Sequence, residues 1–263
     1  MQDLITSRDN PIFKRLKKLA ESSRERREAR MTLLDGEHLI ESCVDAGGRP
    51  HTLLHTVSCA AEIWQPLAAR CEGAKVVAIA DSLFAELSPV ESPTGVLAET
   101  AWLEAGIQKD ATPLVLLLED IQDPGNLGSL LRSAAAAGAS LAVLSKGCAD
   151  AWSPKALRGG QGAQFVLPML LRADLVEWIQ SADMPVWALV LGGDISLFGL
   201  DLKSPVGILF GNEGAGLSAE VSKIATGRVA IPMPGRVESL NAAASAAIAL
   251  FEAVRQRRVE SRE

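Results

Sequence analysis

The sequence predicts an α/β protein with a mostly parallel sheet, preceded by a smaller α/β domain. From Pro113 onwards, short aliphatic runs alternate with segments of helical spacing, which is the pattern of repeated β–loop–α units. The chain is 48% hydrophobic but only 4% aromatic, so its core is aliphatic, as in buried parallel strands. A length of 263 residues fits one large domain or two modest ones.

The N-terminal part is predicted to form a small α/β unit. Residues 11–30 have the spacing of an amphipathic helix, and Gly36–Ala46 has that of a second helix, closed by the break at Gly47–Pro50. The next predicted elements are a strand at Thr52–Val57, a helix at Ala60–Arg70, and strands at Lys75–Ala80 and Val96–Ala98. The polar stretch Ala101–Thr112 is a linker, so we expect domains at 1–107 and 108–263.

The C-terminal part alternates strands and helices. The predicted strands are Leu114–Leu118, Leu141–Leu144, Val186–Leu191, Val206–Phe210 and Arg228–Ile231. The predicted helices are Asn126–Gly138, Ala173–Ser181, Ser218–Lys223 and Leu240–Arg257. Ligands of such sheets bind at the carboxyl ends of the strands, so the loops that follow the strands are the candidate site.

Positive charge is concentrated at the N-terminus, although the net charge of the chain is −6. Residues 1–30 contain nine Lys or Arg and five Asp or Glu, a net +4, which leaves −10 for the rest. Such a segment indicates either a nucleic-acid-binding surface or a solvated helix face. The N-terminus has no apolar signal core and no run is long enough to span a membrane, so we expect a cytoplasmic protein.

Cysteine and histidine residues give no sign of a metal site or a disulfide framework. The four cysteines (Cys43, Cys59, Cys71 and Cys148) are widely spaced and contain no Cys-x-x-Cys pair. His51 and His55 could share a helix face, but a surface or core role is the better interpretation. We therefore expect reduced thiols and no metal.

The first of three unusual loops spans Glu119–Arg132. Pro124 and Gly125 make a sharp exit from the preceding strand, and Asn126 is the predicted N-cap of the following helix. Arg132 would be a fixed cation near the edge of the sheet. A capped helix with a surface arginine would explain this pattern equally well.

The second and third loops follow predicted strands as well. Phe210–Leu217 places three glycines around Asn212-Glu213, which indicates close approach to a ligand or positive φ. Ile231–Ser245 combines prolines and Met233 with a Ser-Leu-Asn turn that opens an alanine-rich helix. A capped core helix would explain Ser239 but not the whole arrangement.

Several common enzyme motifs are missing from the sequence. It contains no Gly-x-Gly-x-x-Gly after a strand, no Walker A sequence and no Gly-x-Ser-x-Gly elbow. Dinucleotide-binding, P-loop and α/β-hydrolase interpretations are therefore disfavoured.

Together, and in this order, the three loops resemble the signature motifs of the SpoU (TrmH) family of SPOUT methyltransferases. Upstream, Ile5–Pro11, the basic helix after it and Leu34–His38 resemble the RNA-substrate-binding domain of that family, which is similar to a ribosomal-protein fold. The resemblance implies a knotted (trefoil) C-terminal domain, S-adenosylmethionine as cofactor, a homodimer whose active sites use both subunits, and a 2′-O-methylated nucleotide in ribosomal or transfer RNA as product.

The resemblance also implies roles for individual residues. The catalytic set is Arg132, Asn126, Glu213, Ser239 and Asn241. The cofactor-binding set is Leu191, Gly192, Gly193, Phe210, Gly211, Asn212, Glu213, Gly216, Ile231, Met233, Ser239, Leu240 and Asn241. The RNA-binding set is Arg8, Asn10, Lys14, Arg15, Lys18, Arg27 and Arg158. In this family the arginine at the position of Arg132 is often assigned the role of general base. A guanidinium stays protonated, so we expect Arg132 instead to bind a phosphate and stabilise the developing alkoxide.

The sequence departs from the family pattern at Arg158–Ala163. Relatives commonly have an Arg-Ala-Ser-like segment there, whereas this chain has Arg-Gly-Gly-Gln-Gly-Ala, which puts substrate contacts in doubt more than methyl transfer. Three alternatives stay open: a non-catalytic RNA-binding or ribosome-assembly factor, a small-molecule α/β enzyme, and a methyltransferase acting on a base. Ribosomal RNA is favoured over transfer RNA because of the N-terminal substrate domain.

Overall fold

The structure is a computed structural model that describes residues 4–88, 90, 93–107, 112–237 and 239–260, with side chains up to residue 257. By its internal contacts the chain divides into an N-terminal unit, Met1–Leu103 with Asp150–Phe165, and a C-terminal unit, Glu104–Ala149 with Val166–Glu263. The sequence assigned residues 150–165 to the C-terminal domain, whereas in the structure they belong to the N-terminal unit. The predicted boundary near residue 108 lies outside the described residues.

The N-terminal unit contains a five-stranded sheet. Its strands are β1 (Leu4–Ile5), β2 (Met31–Asp35), β3 (Thr52–Thr56), β4 (Lys75–Ile79) and β5 (Val96–Ala101), in the order β1-β4-β3-β5-β2. Its helices are α1 (Pro11–Glu21), α2 (Ser23–Ala29), α3 (Glu37–Asp45), α4 (Ala61–Arg70) and α5 (Asp81–Phe84), followed later in the chain by α7 (Pro154–Gly160) and α8 (Ala163–Val166), whose last residue lies in the other unit. Strands β1, β4 and β3 are parallel, and β5 runs antiparallel to β3 and β2.

The single helix predicted over residues 11–30 is two helices. Ser22 ends the first and caps the second, because its hydroxyl accepts a hydrogen bond from the Glu25 N–H at 3.2 Å. The first helix buries Phe13, Leu16 and Leu19 in the core of the unit. Most of the basic side chains therefore lie on two short helices, whereas Arg8 precedes the first and Arg30 follows the second. The sequence interpretation also missed β1 and β2.

The segment 150–165 covers the edge of this sheet. Strand β2 is the edge strand, and α7 packs against it. The Thr32 hydroxyl of β2 donates a hydrogen bond to the Trp152 carbonyl at 2.6 Å. The Arg26 side chain is only 4% exposed and donates from Nε to the Asp150 carboxylate at 2.7 Å and from Nη1 to the Leu19 carbonyl at 2.6 Å. A buried ion pair thus joins α2 to the start of the segment.

The C-terminal unit contains a seven-stranded parallel sheet. Its strands are β6 (Leu114–Leu118), β7 (Leu141–Ser145), β8 (Met169–Ala173), β9 (Val186–Leu189), β10 (Ile195–Ser196), β11 (Val206–Phe210) and β12 (Gly227–Ala230), in the order β10-β12-β9-β11-β6-β7-β8. Its helices are α6 (Pro124–Ala136), α9 (Leu175–Ser181), α10 (Ala219–Ile224) and α11 (Ala242–Glu260), with a short 3₁₀ helix at Leu197–Gly199. Every strand pair is parallel, which confirms the predicted fold class.

Five of these strands coincide with runs predicted from the sequence, whereas β8 and β10 were not predicted. All five residues of β6 and of β11 are buried, and the two strands pair along their whole length. Helix α11 packs against α6 and β11 on one face of the sheet. Within the described residues, no helix is long and apolar enough to cross a membrane.

We predict that Asp150→Ala lowers the free energy of unfolding by about 3 kcal/mol or more, because it leaves the buried Arg26 guanidinium without its counter-charge. Urea unfolding of the full chain measures this. The control is Glu28→Ala, which breaks the exposed Arg24–Glu28 pair and should cost less than about 1 kcal/mol. Equal losses in the two variants would contradict a structural role for the buried pair.

Candidate active site

A cavity of about 930 Å³ opens at the carboxyl ends of three neighbouring parallel strands. Its walls are residues 189–192 at the end of β9, residues 210–217 at the end of β11, and residues 230–233, 237, 239–242 and 245 from the end of β12 to the start of α11, together with Asn126 of α6. Because β12 pairs with β9 and β9 pairs with β11, the three loops leave the same edge of the sheet side by side. Of the described lining residues, Glu213 alone carries a charge.

The cavity gathers most of the residues that the sequence singled out. Twelve of the thirteen predicted cofactor-binding residues line it, the exception being Gly193. A Cβ at Gly193 would lie 2.6 Å from the Val229 carbonyl carbon, so this glycine permits close packing on β12. Four of the five predicted catalytic residues also line the cavity: Asn126, Glu213, Ser239 and Asn241. The fifth, Arg132, does not.

Asn212 organises the loop after β11. Its side-chain oxygen accepts hydrogen bonds from the N–H groups of Gly214 and Ala215, both at 2.9 Å, and its amide group donates to the Asp120 carbonyl at 2.9 Å. Gly211 and Gly216 come so close that a Cβ at Gly211 would lie 2.5 Å from the Gly216 carbonyl carbon. The glycine pattern thus makes a tight turn that Asn212 holds from inside.

Further hydrogen bonds join this loop to the one after β6. The Asn126 amide donates to Glu213 Oε1 at 3.0 Å. Ser218 donates from its backbone N–H and its hydroxyl to the two oxygens of the Glu119 carboxylate, at 2.8 and 2.6 Å. These contacts fix Glu213 relative to α6. Glu213 Oε2 has no hydrogen-bond partner in the described part of the chain.

Asn126 is not the N-cap of α6, contrary to the sequence prediction. Asp123 is the cap: its carboxylate accepts from the Asn126 N–H at 2.8 Å, and Pro124 occupies the first helical position. Proline suits that position because its missing N–H would have no helical partner. The helix therefore begins earlier than predicted, and the Asn126 side chain faces the cavity instead of its own backbone.

The loop after β12 contributes Ser239 and Asn241. Asn241 Oδ1 accepts from the Ala243 N–H at 2.8 Å, so Asn241 rather than Ser239 caps α11, which begins at Ala242 instead of the predicted Leu240. The Asn241 amide group remains available to donate a hydrogen bond. Ser239 is exposed at the cavity wall.

Arg132 lies on the exposed side of α6. It follows Asn126 by six residues, which corresponds to about 9 Å along a helix axis. It forms no ion pair with any residue in the described part of the chain. Its guanidinium is therefore available to a ligand that reaches beyond the cavity.

Sequence reasoning missed the residues that support the loops. Asp120 has φ of 54°, and its carboxylate accepts from the Ser145 hydroxyl at 2.6 Å. Burial raises the pKa of the nearby Cys148 thiol, which donates to the Leu118 carbonyl at 3.3 Å. No local motif marks these residues, because their partners lie 25 or more positions away in sequence.

Some of the predicted RNA-binding residues of the N-terminal unit already form ion pairs or caps within the unit, and others do not. Arg8, Lys14 and Arg15 form ion pairs with Glu86, Asp9 and Glu99, respectively, and Asn10 caps α1. The Arg8 hydrogen bond lowers the pKa of Glu86. Arg158 is exposed at the end of α7. Burial raises the pKa of Asp35, and the positive charge of Arg158 partly offsets this increase. Lys18 and Arg27 are exposed and have no ion-pair partner among the described residues.

No group of three or more His, Cys, Asp or Glu side chains in the described ranges is arranged to hold a metal ion.

Comparison with known proteins gives consistent matches along the chain. A model of the SpoU rRNA Methylase family matches residues 113–251, and a model of the MRM3-like substrate binding domain matches residues 10–98. An uncharacterized tRNA/rRNA methyltransferase of Synechocystis sp. is 34% identical over 96% of this chain and 93% of its own length. The 23S rRNA (guanosine(2553)-2′-O)-methyltransferase RlmP of Bacillus subtilis is 31% identical over 94% of this chain and 97% of its own.

A solved structure matches nearly the whole chain as well. The SpoU methyltransferase AviRb of Streptomyces viridochromogenes, solved in complex with the cofactor AdoMet, superposes with a TM-score of 0.85 at 30% sequence identity. The match covers 95% of this chain and 98% of AviRb.

We predict that Asn212→Asp weakens about tenfold the binding of S-adenosylmethionine, the cofactor that the sequence resemblance implies, because it replaces the donor to the Asp120 carbonyl by a carboxylate that repels it. Titration calorimetry measures this affinity. Gln122→Glu is the control: Gln122 is exposed, lines a smaller neighbouring cavity beside Asp120 and Asn212, and gains the same charge without losing a hydrogen bond to another described residue. Equal affinities of the wild type and Asn212→Asp would contradict the organising role of Asn212.

Proposed function

Because the chain belongs to the SpoU rRNA methylase family, we propose that it transfers a methyl group from S-adenosylmethionine to a ribose 2′-hydroxyl of ribosomal RNA. The trefoil knot predicted for the C-terminal unit follows from the same membership. The observation that carries the proposal is the meeting of Asn126, Glu213, Ser239 and Asn241 in one cavity, from helix α6 and from the loops after β11 and β12. A chain that had only to bind RNA would not need this polar set.

The cavity fits S-adenosylmethionine in size and in chemistry. Its volume of about 930 Å³ lies within the range of small-molecule sites. Leu191, Ile231, Met233 and Leu240 provide apolar contacts, and the backbone groups of the three loops provide hydrogen-bonding partners for the polar parts. When bound, S-adenosylmethionine supplies a methyl group attached to a positively charged sulfur.

Polar side chains in the cavity would orient the ribose hydroxyl through hydrogen bonds. Glu213 Oε2 is available as a hydrogen-bond acceptor, while Oε1 is held by Asn126. The amide group of Asn241 and the hydroxyl of Ser239 are available as donors. These groups would hold the hydroxyl in an attacking position, which is the main requirement of a transfer to an activated methyl group.

Arg132 would act on the phosphate and not as a base. A guanidinium remains protonated in proteins, so it cannot take the hydroxyl proton. Its exposed position beyond the cavity suits contact with an RNA phosphate, and its charge would stabilise a developing alkoxide.

The names of the relatives support ribosomal RNA as the substrate. RlmP of Bacillus subtilis is named as a 23S rRNA 2′-O-methyltransferase, and the Streptomyces viridochromogenes relative, 32% identical over 96% of this chain, is named as a 23S rRNA (uridine(2479)-2′-O)-methyltransferase. The name of the Synechocystis relative leaves transfer RNA open. One relative is named for a guanosine and the other for a uridine, so the feature that their names share is the ribose 2′-hydroxyl and not the base.

A homodimer is supported by the second face of α11. The helix buries Ala246, Ala249, Leu250 and Ala253 in its own unit. The opposite face presents Ala244, Ile248 and Phe251, and the Phe251 side chain is 47% exposed. A surface helix normally has a polar outer face, so a second apolar face favours a covering partner. We propose that this partner is a second copy of the chain.

The activity is tested by incubating the protein with radiolabelled S-adenosylmethionine and undermodified ribosomal and transfer RNA. We expect label in ribosomal RNA, recovered as a 2′-O-methyl nucleotide. Arg132→Ala should lower the rate by about a hundredfold or more, through loss of an electrostatic contact to the reacting centre. Arg132→Lys keeps the charge but loses the forked geometry, and it should also be slow.

Each result of this assay decides a separate point. A normal rate for Arg132→Lys would rule out a need for the guanidinium fork. Label in transfer RNA alone would correct the substrate. No incorporation by a folded protein that binds S-adenosylmethionine would favour the non-catalytic RNA-binding alternative.

We predict that Phe251→Glu converts the dimer to monomers, because it places a charge in the centre of an apolar interface. Sedimentation velocity measures the change. Val57→Glu is the control, because Val57 is an exposed apolar residue of the N-terminal unit and its replacement should leave the dimer intact. A wild-type protein that sediments as a monomer would contradict the proposed interface.

A further inference from the structure

Three side chains of the N-terminal unit form a stack that ends at the surface. The rings of Trp152 and Trp102 are nearly parallel, with centroids 5.3 Å apart and planes 10° apart. The Trp152 side chain is fully buried, and Phe165 packs against it. Arg30 is exposed, and its Cζ lies 5.3 Å from the centroid of the Trp102 ring. The stack therefore runs from a buried aromatic ring to an exposed guanidinium.

The middle of this stack is held rigidly. The Trp102 backbone N–H donates to the Arg30 carbonyl at 2.9 Å, and its indole N–H donates to the Met31 carbonyl at 3.2 Å. Both polar groups of Trp102 that could donate are used, and its ring lies between Trp152 and Arg30. The surface that the stack offers to a ligand is therefore the outer face of the Arg30 guanidinium. A guanidinium held against a ring in this way loses little conformational freedom when a ligand stacks on it.

Arg30 occupies a position where glycine would be easier to accommodate. It follows the last residue of α2 with φ of 52°, in the left-handed region. A side chain there is disfavoured, so the arginine is not explained by the turn. Its stacking on Trp102 gives the guanidinium a defined plane at the surface.

A second exposed cation, Arg27, lies close to the stack in sequence. It is in the last turn of α2, and Arg30 is the C-cap residue that follows this helix. Arg27 is exposed and has no ion pair within the described ranges, whereas Arg24 of the same helix is paired with Glu28. A cation next to a stacking surface is the combination that binds single-stranded nucleic acid.

We propose that Arg30 and Trp102 form a stacking platform for an unpaired nucleobase of the substrate RNA, with Arg27 at the neighbouring phosphate. The proposal rests on the proposed function, in which RNA is the substrate. Bases in single-stranded segments expose faces that stack on aromatic rings and guanidinium planes, whereas a double helix hides them. The platform would therefore distinguish single-stranded RNA from a duplex without reading the sequence.

The test uses the full chain with Arg30→Gly, which removes the guanidinium and suits the left-handed backbone, so the protein should stay folded. Fluorescence anisotropy measures binding to a labelled single-stranded RNA oligomer and to the blunt duplex of the same sequence. We expect Arg30→Gly to weaken single-strand binding about tenfold and duplex binding much less. Arg30→Lys keeps the charge but not the plane, so it should weaken single-strand binding nearly as much.

Arg24→Gln is the matched control, since it removes an exposed arginine from the same helix. It should weaken single-strand and duplex binding equally and slightly. Normal binding by Arg30→Lys, equal losses for both RNA forms in Arg30→Gly, or no single-strand binding by the wild type would each overturn the platform.

The methylation assay separates this proposal from the proposed function. An active protein in which Arg30→Gly raises KM for ribosomal RNA but not for S-adenosylmethionine would support the platform. An active protein with unchanged KM values would overturn the platform and leave the function standing. An inactive wild type that retains the selective single-strand binding would overturn the function alone.

Discussion

The parallel pairing of β12, β9 and β11 is the constraint on which the candidate site depends. Each strand ends at the same edge of the sheet, so residues about twenty positions apart in sequence become neighbours. The loops depend on the sheet for their relative positions and could not form a cavity alone. Their positions are set by aliphatic strands that are buried in the sheet, so the stability of the core and the geometry of the cavity have the same origin.

Hydrogen bonds between loops then fix the polar groups. Asp120 holds Asn212, Glu119 holds Ser218, and Asn126 holds Glu213, so the loops after β6 and β11 behave as one assembly. The charge of Glu213 is thus placed by residues that need not touch a ligand themselves. Preorganisation of this kind reduces the rearrangement needed when a reaction begins.

The sequence predicted the fold class, most of the buried strands and most of the cavity lining, because long aliphatic runs and glycine-rich turns are local signals. Strands β6 and β11 have the predicted bounds. The features that the sequence did not predict depend on competition between neighbouring residues for one role, or on contacts between residues far apart in the chain. The break at Ser22 and the cap at Asp123 were decided between neighbouring polar residues with similar propensities. The membership of residues 150–165 in the N-terminal unit depends on contacts such as Arg26–Asp150, which span more than a hundred positions.

The same distinction applies to the basic N-terminus. Its composition suggested a broad cationic surface, but ion pairs use most of these charges within the unit, and Arg26 is buried. Unpaired exposed cations such as Lys18 and Arg27 are therefore fewer than the composition implies. A chain with a net charge of −6 cannot rely on general attraction to a polyanion. Recognition of RNA by such a surface must depend on a few placed cations and on contacts to exposed bases, which only single-stranded or distorted RNA offers.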